Sequence, residues 1–130
     1  MSEAVGRQVV ERFWAAMDGN DFRAAGALLH DEFVLEWPQS GERIRGRENF
    51  VAINEQYPAA GRWRFTLNRL VADSSGVVTD VTVTDGKVSG RVITFSEVRD
   101  SRIIRQTEYW PDPFEPAPWR ARWVEQTVPG

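Results

Sequence analysis

The sequence predicts an α+β fold in which a strongly curved antiparallel sheet forms a cone around N-terminal helices. Helical periodicity is confined to the stretch before residue 58, and four β-rich runs separated by turn signals follow it. Helices followed by consecutive antiparallel strands are an α+β order. With 42% apolar residues, the 130-residue chain can bury one core. We expect a single domain over residues 1–130, ending in an extended tail rich in proline and tryptophan at 111–130.

The N-terminal half is predicted to supply three helices and two strands. Apolar side chains recur every three or four residues in the first helix, and Asp21 can cap the second. Pro58 ends the third helix because proline has no backbone N–H to donate. In chain order these elements are a helix at 3–17, a short helix after Asp21, a strand at 33–37, a short strand at 43–45 and a helix at 47–57.

The second half is predicted to form four long strands, at 63–72, 77–84, 87–99 and 102–110. Asp85-Gly86 and Asp100-Ser101 stand where two-residue turns would connect the last three strands into hairpins. A two-residue turn fixes which residues face each other across a hairpin, and therefore which side chains share a face of the sheet.

These two registers place a mixed set of side chains on one face of the predicted sheet. Asp80 faces Arg91 across one hairpin, and Glu108 faces Ile93 across the other. Glu108 is then a diagonal neighbour of Arg91. Large apolar groups beside carboxylates are typical of a ligand pocket, so we assign this face to the concave, helix-covered side. Its predicted members are Asp80, Arg91, Ile93, Phe95, Glu97, Ile104, Gln106, Glu108 and Trp110.

The opposite, outer face of the sheet is predicted to be too apolar to stay exposed. Its apolar and hydroxyl members are Val92, Thr94, Ser96, Val98, Ile103, Thr107 and Tyr109. Monomeric proteins rarely leave a large apolar patch exposed. We therefore expect a homodimer that buries this outer sheet face.

Composition excludes several classes of function. A net charge of −3, with acids and bases interspersed, argues against a nucleic-acid partner, which requires a basic footprint. The chain has no cysteine, so disulfides and thiol chemistry are excluded, and a single histidine, His30, excludes an imidazole-rich metal site. Neither a signal peptide nor an apolar run of roughly 20 residues is visible. We expect a cytoplasmic protein without a membrane partner.

Two stretches resemble the nuclear transport factor 2-like superfamily and, within it, the SnoaL-like group. FVLEWPQSGERIRGRENF at 33–50 resembles the family's strand, proline, turn and entry into the third helix. EVRDSRIIRQTEYWPDP at 97–113 resembles its final hairpin. With the element order, the resemblance covers nearly the whole chain and implies the cone fold. Members include polyketide cyclases, ketosteroid isomerases, limonene epoxide hydrolases, scytalone dehydratases and non-catalytic binding modules.

The resemblance to the epoxide hydrolases of this fold carries over to individual positions. Those enzymes use an Asp–Arg–Asp cluster with a helper Tyr and Asn. The resemblance sets Glu108 and Asp80 near the two acid positions and Glu36 near the Asn. The family's arginine position is Val78 here, so Arg91 would supply the guanidinium from the neighbouring strand.

We expect Glu108, Asp80 and Arg91 to be the catalytic residues. A carboxylate among apolar groups is desolvated, which raises its pKa into the range useful for proton transfer. Residues expected to bind the substrate are Trp14, Glu36, Trp37, Phe50, Tyr57, Trp63, Phe95 and Trp110. No metal or organic cofactor is expected, because carboxylates and an arginine can move protons unaided.

Three functions from different classes fit this sequence. The first is an acid–base enzyme of cyclase, isomerase, dehydratase or hydrolase type, acting on an apolar oxygenated molecule such as a polyketide or terpenoid. The second is a non-catalytic pocket for a small hydrophobic ligand, and the third is an association module using the outer sheet face. A perturbed pKa of Glu108 favours the first, an apolar cavity without one favours the second, and a filled core favours the third.

Overall fold

The computed structural model describes residues 2–127, and the predicted helices and strands are present there in the predicted order. They are α1 (Glu3–Asp18), α2 (Phe22–Ala27), β1 (Leu29–Trp37), β2 (Glu42–Arg45), α3 (Arg47–Gln56), β3 (Arg64–Ala72), β4 (Val77–Thr84), β5 (Ser89–Arg99), β6 (Arg102–Tyr109) and a 3-10 helix (Pro118–Trp123). The predicted cap of α2 is confirmed, because Oδ1 of Asp21 accepts a 3.0 Å hydrogen bond from the Ala24 N–H. The fold is α+β, as the sequence predicts.

The strands form one curved, open sheet with the order β2-β1-β6-β5-β4-β3. Neighbouring strands are antiparallel except β1 and β6, which run parallel. The sequence analysis expects an antiparallel sheet throughout. The exception arises because the whole excursion from β2 to β5 separates β1 from β6, and a long crossover of this kind permits parallel pairing.

The helices cover one face of the sheet, and the hydrophobic core lies between them. Helix α1 buries a stripe that includes Val10, Phe13 and Trp14 against the sheet. Side chains alternate along β4 between buried and partly exposed, so odd-numbered residues face the helices and even-numbered residues face away. We call the helix-covered side the inner face and the other side the outer face. The buried odd-numbered members of β4 are Val77, Thr79, Val81 and Val83.

The β4–β5 hairpin has a longer loop than the predicted two-residue turn. Thr84 pairs with Ser89, so four residues, 85–88, form the connection. The Asp85 side chain explains the difference, because it accepts hydrogen bonds from the N–H groups of Lys87, Val88 and Ala60. The register moves by two residues relative to the prediction, which leaves every side chain on the same side of the strand.

The β5–β6 hairpin begins as predicted and then changes register. Asp100 and Ser101 have φ values of 55° and 59°, the left-handed pair that a type I′ two-residue turn requires. Val98 pairs with Ile103 as predicted, but Glu97 pairs with Arg105, which leaves Ile104 unpaired in a β-bulge. Beyond the bulge, each β6 residue therefore pairs one position away from the predicted partner.

The bulge separates residues that the sequence analysis places together. Glu108 pairs with Thr94 instead of Ile93, so the predicted mixed face is wrong. Arg91, Ile93, Phe95 and Glu97 lie on the outer face together with Asp80, whereas Gln106 and Glu108 lie on the inner face. The predicted outer face is wrong as well, because Val92, Thr94, Ser96, Val98 and Ile103 are buried in the inner face. Thr107 and Tyr109 do lie on the outer face.

The tail leaves the sheet after Tyr109 and is largely exposed. The tail is predicted to be extended, and the structure adds to it one 3-10 helix at Pro118–Trp123. Residues 128–130 of the predicted tail, like Met1, lie outside the described residues. Among the helices of residues 2–127, none has the length and apolar composition needed to cross a membrane. The cytoplasmic location stays a prediction.

Candidate functional site

A cavity of about 550 Å³ opens between α1, α3 and the inner face of the sheet. Its size falls in the range of small-molecule sites, roughly 300–1,000 Å³. Eight of its lining residues are aromatic, namely Phe13, Trp14, Trp37, Phe50, Tyr57, Trp63, Phe65 and Trp110. Six of the eight predicted substrate-binding residues therefore line one cavity: Trp14, Trp37, Phe50, Tyr57, Trp63 and Trp110.

Glu108 is a buried carboxyl group in the wall of this cavity. Only 7% of its surface is exposed, and it lines the cavity from strand β6. The indole N–H of Trp37 donates a 2.9 Å hydrogen bond to Oε1, and the hydroxyl of Thr94 contacts Oε2 at 2.9 Å. Trp37 reaches it from β1 and Thr94 from β5, so three neighbouring strands hold the group in place.

The environment changes the proton affinity of Glu108. Burial raises the pKa of its carboxyl group, while the hydrogen bonds from Trp37 and Thr94 oppose that rise by favouring the ionised form. A raised carboxyl pKa in a cavity is the condition under which such a group exchanges protons near neutral pH. A raised pKa of Glu108 is predicted from the sequence, and the burial of its carboxyl group in the cavity wall is the physical cause.

A row of polar side chains continues from Glu108 across the inner face. Glu108 pairs with Thr94, and Thr94 pairs with Thr79 on β4. The indole N–H of Trp14 donates a 3.1 Å hydrogen bond to the hydroxyl of Thr79, which ties α1 to this row. Because the indole nitrogens of Trp14 and Trp37 are both bonded, each ring keeps a fixed orientation in the cavity wall.

Asp80 and Arg91 are not part of this cavity. They form a two-point ion pair on the outer face, with Arg91 Nε 2.8 Å from Oδ1 and Nη2 2.6 Å from Oδ2 of Asp80. The hydrogen bond from Arg91 lowers the pKa of Asp80, so this carboxylate stays ionised. The ion pair is diagonal and not directly opposite as predicted, because Asp80 pairs with Ile93 and Arg91 with Thr82. The sheet separates it from Glu108, so these residues form no acid–arginine–acid cluster.

Two predicted substrate-binding residues also lie on the outer face. Glu36 accepts a 2.9 Å hydrogen bond from Arg105 and lies 3.8 Å from Arg43. Phe95 packs edge-on against Tyr109, with ring centroids 6.2 Å apart. The predicted register places Phe95 on the cavity side, and the bulge overturns that register. Glu36 is predicted to bind the substrate, but the sequence leaves open to which face of the sheet its side chain points. Glu36 precedes Trp37 in β1, and the alternation of the strand sends the two side chains to opposite faces.

The sequence analysis misses several residues of the site. Thr94 was assigned to the outer face by the incorrect register. Phe13 and Phe65 carry ordinary core signals, since they stand on the apolar faces of a helix and a strand. Glu42 and Asp112 at the cavity mouth stand in a turn region and a proline-rich tail, where no periodicity indicates an orientation. Their proximity to Trp37 and Trp110 in the sequence was the available signal.

Comparison with known proteins assigns the chain to a family. A family model described as a SnoaL-like domain matches residues 10–106. The chain belongs to the SnoaL-like family. A search of curated proteins gave no match for this SnoaL-like chain.

Solved structures share the fold of this SnoaL-like protein over nearly its full length. A protein from Kribbella flavida, provisionally named a ketosteroid isomerase, is 33% identical, with 98% of this chain and 93% of that chain covered and a TM-score of 0.90. An NTF2-like protein of unknown function from Burkholderia xenovorans is 30% identical, with coverage of 98% and 99% and a TM-score of 0.80. An LEH-like epoxide hydrolase from Mycobacterium tuberculosis is 26% identical, with 84% of each chain covered and a TM-score of 0.71.

Proposed function

We propose that this SnoaL-like protein is an acid–base enzyme that uses Glu108 to transfer a proton to or from a small, mainly apolar, oxygenated molecule. The observation that carries the proposal is one buried carboxyl group of raised pKa in the wall of an aromatic cavity. The names of the Kribbella and Mycobacterium proteins support an isomerase or hydrolase type of reaction. A cyclase or dehydratase reaction uses the same proton transfers.

The hydrogen bonds indicate which oxygen of Glu108 carries the mobile proton. An indole N–H can only donate, so Oε1, bonded to Trp37, remains an acceptor in both protonation states. A hydroxyl can donate or accept, so Thr94 can donate to an ionised Oε2 and accept from a protonated one. The acid form therefore carries its proton on Oε2, and this oxygen exchanges the proton with a substrate oxygen or carbon.

The aromatic wall supplies binding energy and excludes water from the reacting group. Trp14, Phe50 and Trp63 can pack against an apolar ring or chain, and burial of apolar surface contributes about 25 cal/mol per Å². Exclusion of water from the bound complex strengthens the electrostatic effect of Glu108 on a developing charge. No metal or organic cofactor enters this proposal.

A non-catalytic binding role is the second candidate, and one observation favours it. Both oxygens of Glu108 already have a protein partner, Trp37 or Thr94, as in a carboxyl group retained to hold structure. In that case the cavity would bind an apolar ligand without turning it over.

The two candidates are separated by a substrate screen combined with a carboxyl titration. We would assay a panel of apolar epoxides and unsaturated ketones with the native protein and with Glu108→Gln, and follow the Glu108 carboxyl by NMR. Turnover that the substitution lowers by about 100-fold or more, with retained binding, supports the enzyme. A Glu108 pKa below about 4, the lower side of the ordinary glutamate range, with binding but no turnover, would favour the binding role.

For assembly, we infer a homodimer that buries the outer face. The residues differ from those expected from the sequence, but the outer face still carries exposed apolar side chains, among them Val71, Phe95 and Tyr109. Phe95 is 48% exposed and packs on Tyr109, so the two rings form one contiguous patch. Patches of this kind commonly mark protein interfaces.

A further inference from the structure

The charged groups that line the cavity all carry the same sign. Within the described part of the chain, the charged side chains in the cavity wall are Glu42, Glu108 and Asp112, and no Lys, Arg or His lines the cavity. Tyr57 is the remaining titratable group in the wall. The cavity wall is therefore rich in aromatic side chains, and its charged side chains are all acidic, although the chain contains 16 Lys and Arg residues.

The carboxylates at the mouth differ from Asp80 and Glu36 on the outer face in lacking a basic partner. On the outer face Asp80 is paired with Arg91 and Glu36 with Arg105. Glu42 and Asp112 are exposed and form no ion pair within residues 2–127. Their charge is therefore available to an approaching molecule.

Two hydrogen bonds connect the two chain segments that carry these mouth carboxylates. The Gln39 side chain donates to the Trp110 carbonyl at 3.1 Å and accepts from the Trp110 N–H. This ties the turn that precedes Glu42 to the segment that carries Asp112. Trp110 itself is 38% exposed and lines the cavity, so an aromatic ring stands with the two carboxylates at the mouth.

We infer that the cavity takes an organic cation: an apolar body with a protonated or quaternary amine at one end. The apolar body fills the aromatic interior and reaches Glu108, while the ammonium group stays at the mouth near Glu42 and Asp112, against Trp110. Ammonium groups are attracted both to carboxylates and to the faces of tryptophan rings. This inference rests on the proposed function, because it places the reacting end of the ligand beside Glu108.

The test compares three ligands that share one apolar body and differ in charge. Phenylbutylamine, phenylbutanol and phenylbutanoate would be titrated into the full-length protein at neutral pH and followed by calorimetry. We expect the amine to bind about 5- to 10-fold more tightly than the alcohol, and the carboxylate to bind most weakly. The preference for the amine should shrink at 1 M salt, because salt screens exposed charges.

Matched variants locate the charge effect. Glu42→Gln combined with Asp112→Asn should bring the amine to within about 2-fold of the alcohol. Glu48→Gln combined with Glu55→Gln removes two acids from α3 that do not line the cavity, and should leave the preference unchanged.

The outcomes separate this inference from the proposed function. Equal binding of amine and alcohol, or tightest binding of the carboxylate, would overturn the cation inference and leave the role of Glu108 intact. Persistence of the amine preference in the Glu42/Asp112 double variant would overturn the assignment of the mouth. If none of the three ligands binds, the cation inference is overturned for this cavity, while the role of Glu108 is decided separately by the substrate screen and the carboxyl titration.

Discussion

Trp37 and Glu108 stand 71 positions apart in the sequence, and the indole N–H of Trp37 donates a 2.9 Å hydrogen bond to the Glu108 carboxyl group. Trp37 also forms part of the cavity wall, so one side chain contacts both the cavity and the buried Glu108 carboxyl group. A substitution at Trp37 can therefore separate the apolar role of the ring from the role of its N–H.

Glu108→Gln keeps the shape of the side chain and removes its titration. If Glu108 transfers the proton, turnover should fall by at least about 100-fold while ligand affinity changes little. Steady-state kinetics and ligand titration on the same preparation measure the two quantities. Loss of affinity together with unchanged turnover would contradict this assignment. As a matched control, Glu48→Gln changes an exposed glutamate of α3 and should leave kcat unchanged.

Trp37→Phe keeps an aromatic ring in the wall but deletes the donor to Glu108. The hydrogen bond from Trp37 lowers the pKa of Glu108, so its loss should raise that pKa further and move the pH–rate profile to more alkaline pH. We also expect a loss of about 1 kcal/mol in the free energy of unfolding, the usual net value of one hydrogen bond. The measurement is an NMR titration of the Glu108 carboxyl. Trp63→Phe is the control, because Trp63 lines the same cavity without a hydrogen bond to Glu108. This substitution should leave the pKa of Glu108 unchanged.

The burial of Glu108 should also appear in the pH dependence of stability. Burial raises the folded-state pKa above its ordinary value of 4.5, so the folded protein binds more protons than the unfolded chain above that pH. The free energy of unfolding of the native protein should therefore fall, relative to Glu108→Gln, as pH rises from 4.5 until the buried group ionises. Urea denaturation of both proteins at a series of pH values gives this difference. A native protein that gains stability over Glu108→Gln across that range would contradict the raised pKa.

The proposed dimer can be tested at the outer-face ring pair. Phe95→Lys places a charge in the exposed patch and should weaken association by about tenfold or more, since an unpaired charge buried in an interface costs several kcal/mol. Light scattering at micromolar concentration measures the mass. Phe114→Lys is the control, because Phe114 is 83% exposed and belongs to the tail and not to a strand of the sheet. A native protein with monomer mass at this concentration would rule out the proposed assembly.

The sequence alone predicts the element order and most of the aromatic residues in the cavity wall. Helix periodicity finds α1 and α3, and aromatic residues on their inner sides, such as Trp14 and Phe50, prove to line the cavity. The type I′ turn at Asp100 and Ser101 is also predictable, despite the poor tolerance of serine for positive φ. Local signals therefore suffice where the structure depends on neighbours in the chain.

What the sequence does not show depends on contacts between distant residues. The loop at 85–88 is held partly by the Ala60 N–H, which belongs to a different connection. The turn does not reveal the bulge at Ile104, because both registers share the Val98–Ile103 pair next to the turn and differ only beyond it. The parallel pairing of β1 with β6 joins strands that are far apart in the sequence, so it can be predicted only when the order of all six strands is known. Because the bulge is not predicted, the sequence places Asp80 and Glu108 on the same face of the sheet, which is wrong.

The unpaired Ile104 has a practical consequence for comparing SnoaL-like sequences. This extra residue reverses which β6 side chains point inward beyond the bulge. Glu108 therefore points to the inner face, and its neighbour Tyr109 points to the outer face. An alignment that closes or opens a one-residue gap in this stretch would equate Glu108 with a side chain on the wrong surface of a relative. In this family, acidic residues of the last strand should therefore be matched by their cross-strand partner, here Thr94, rather than by their distance from the hairpin turn.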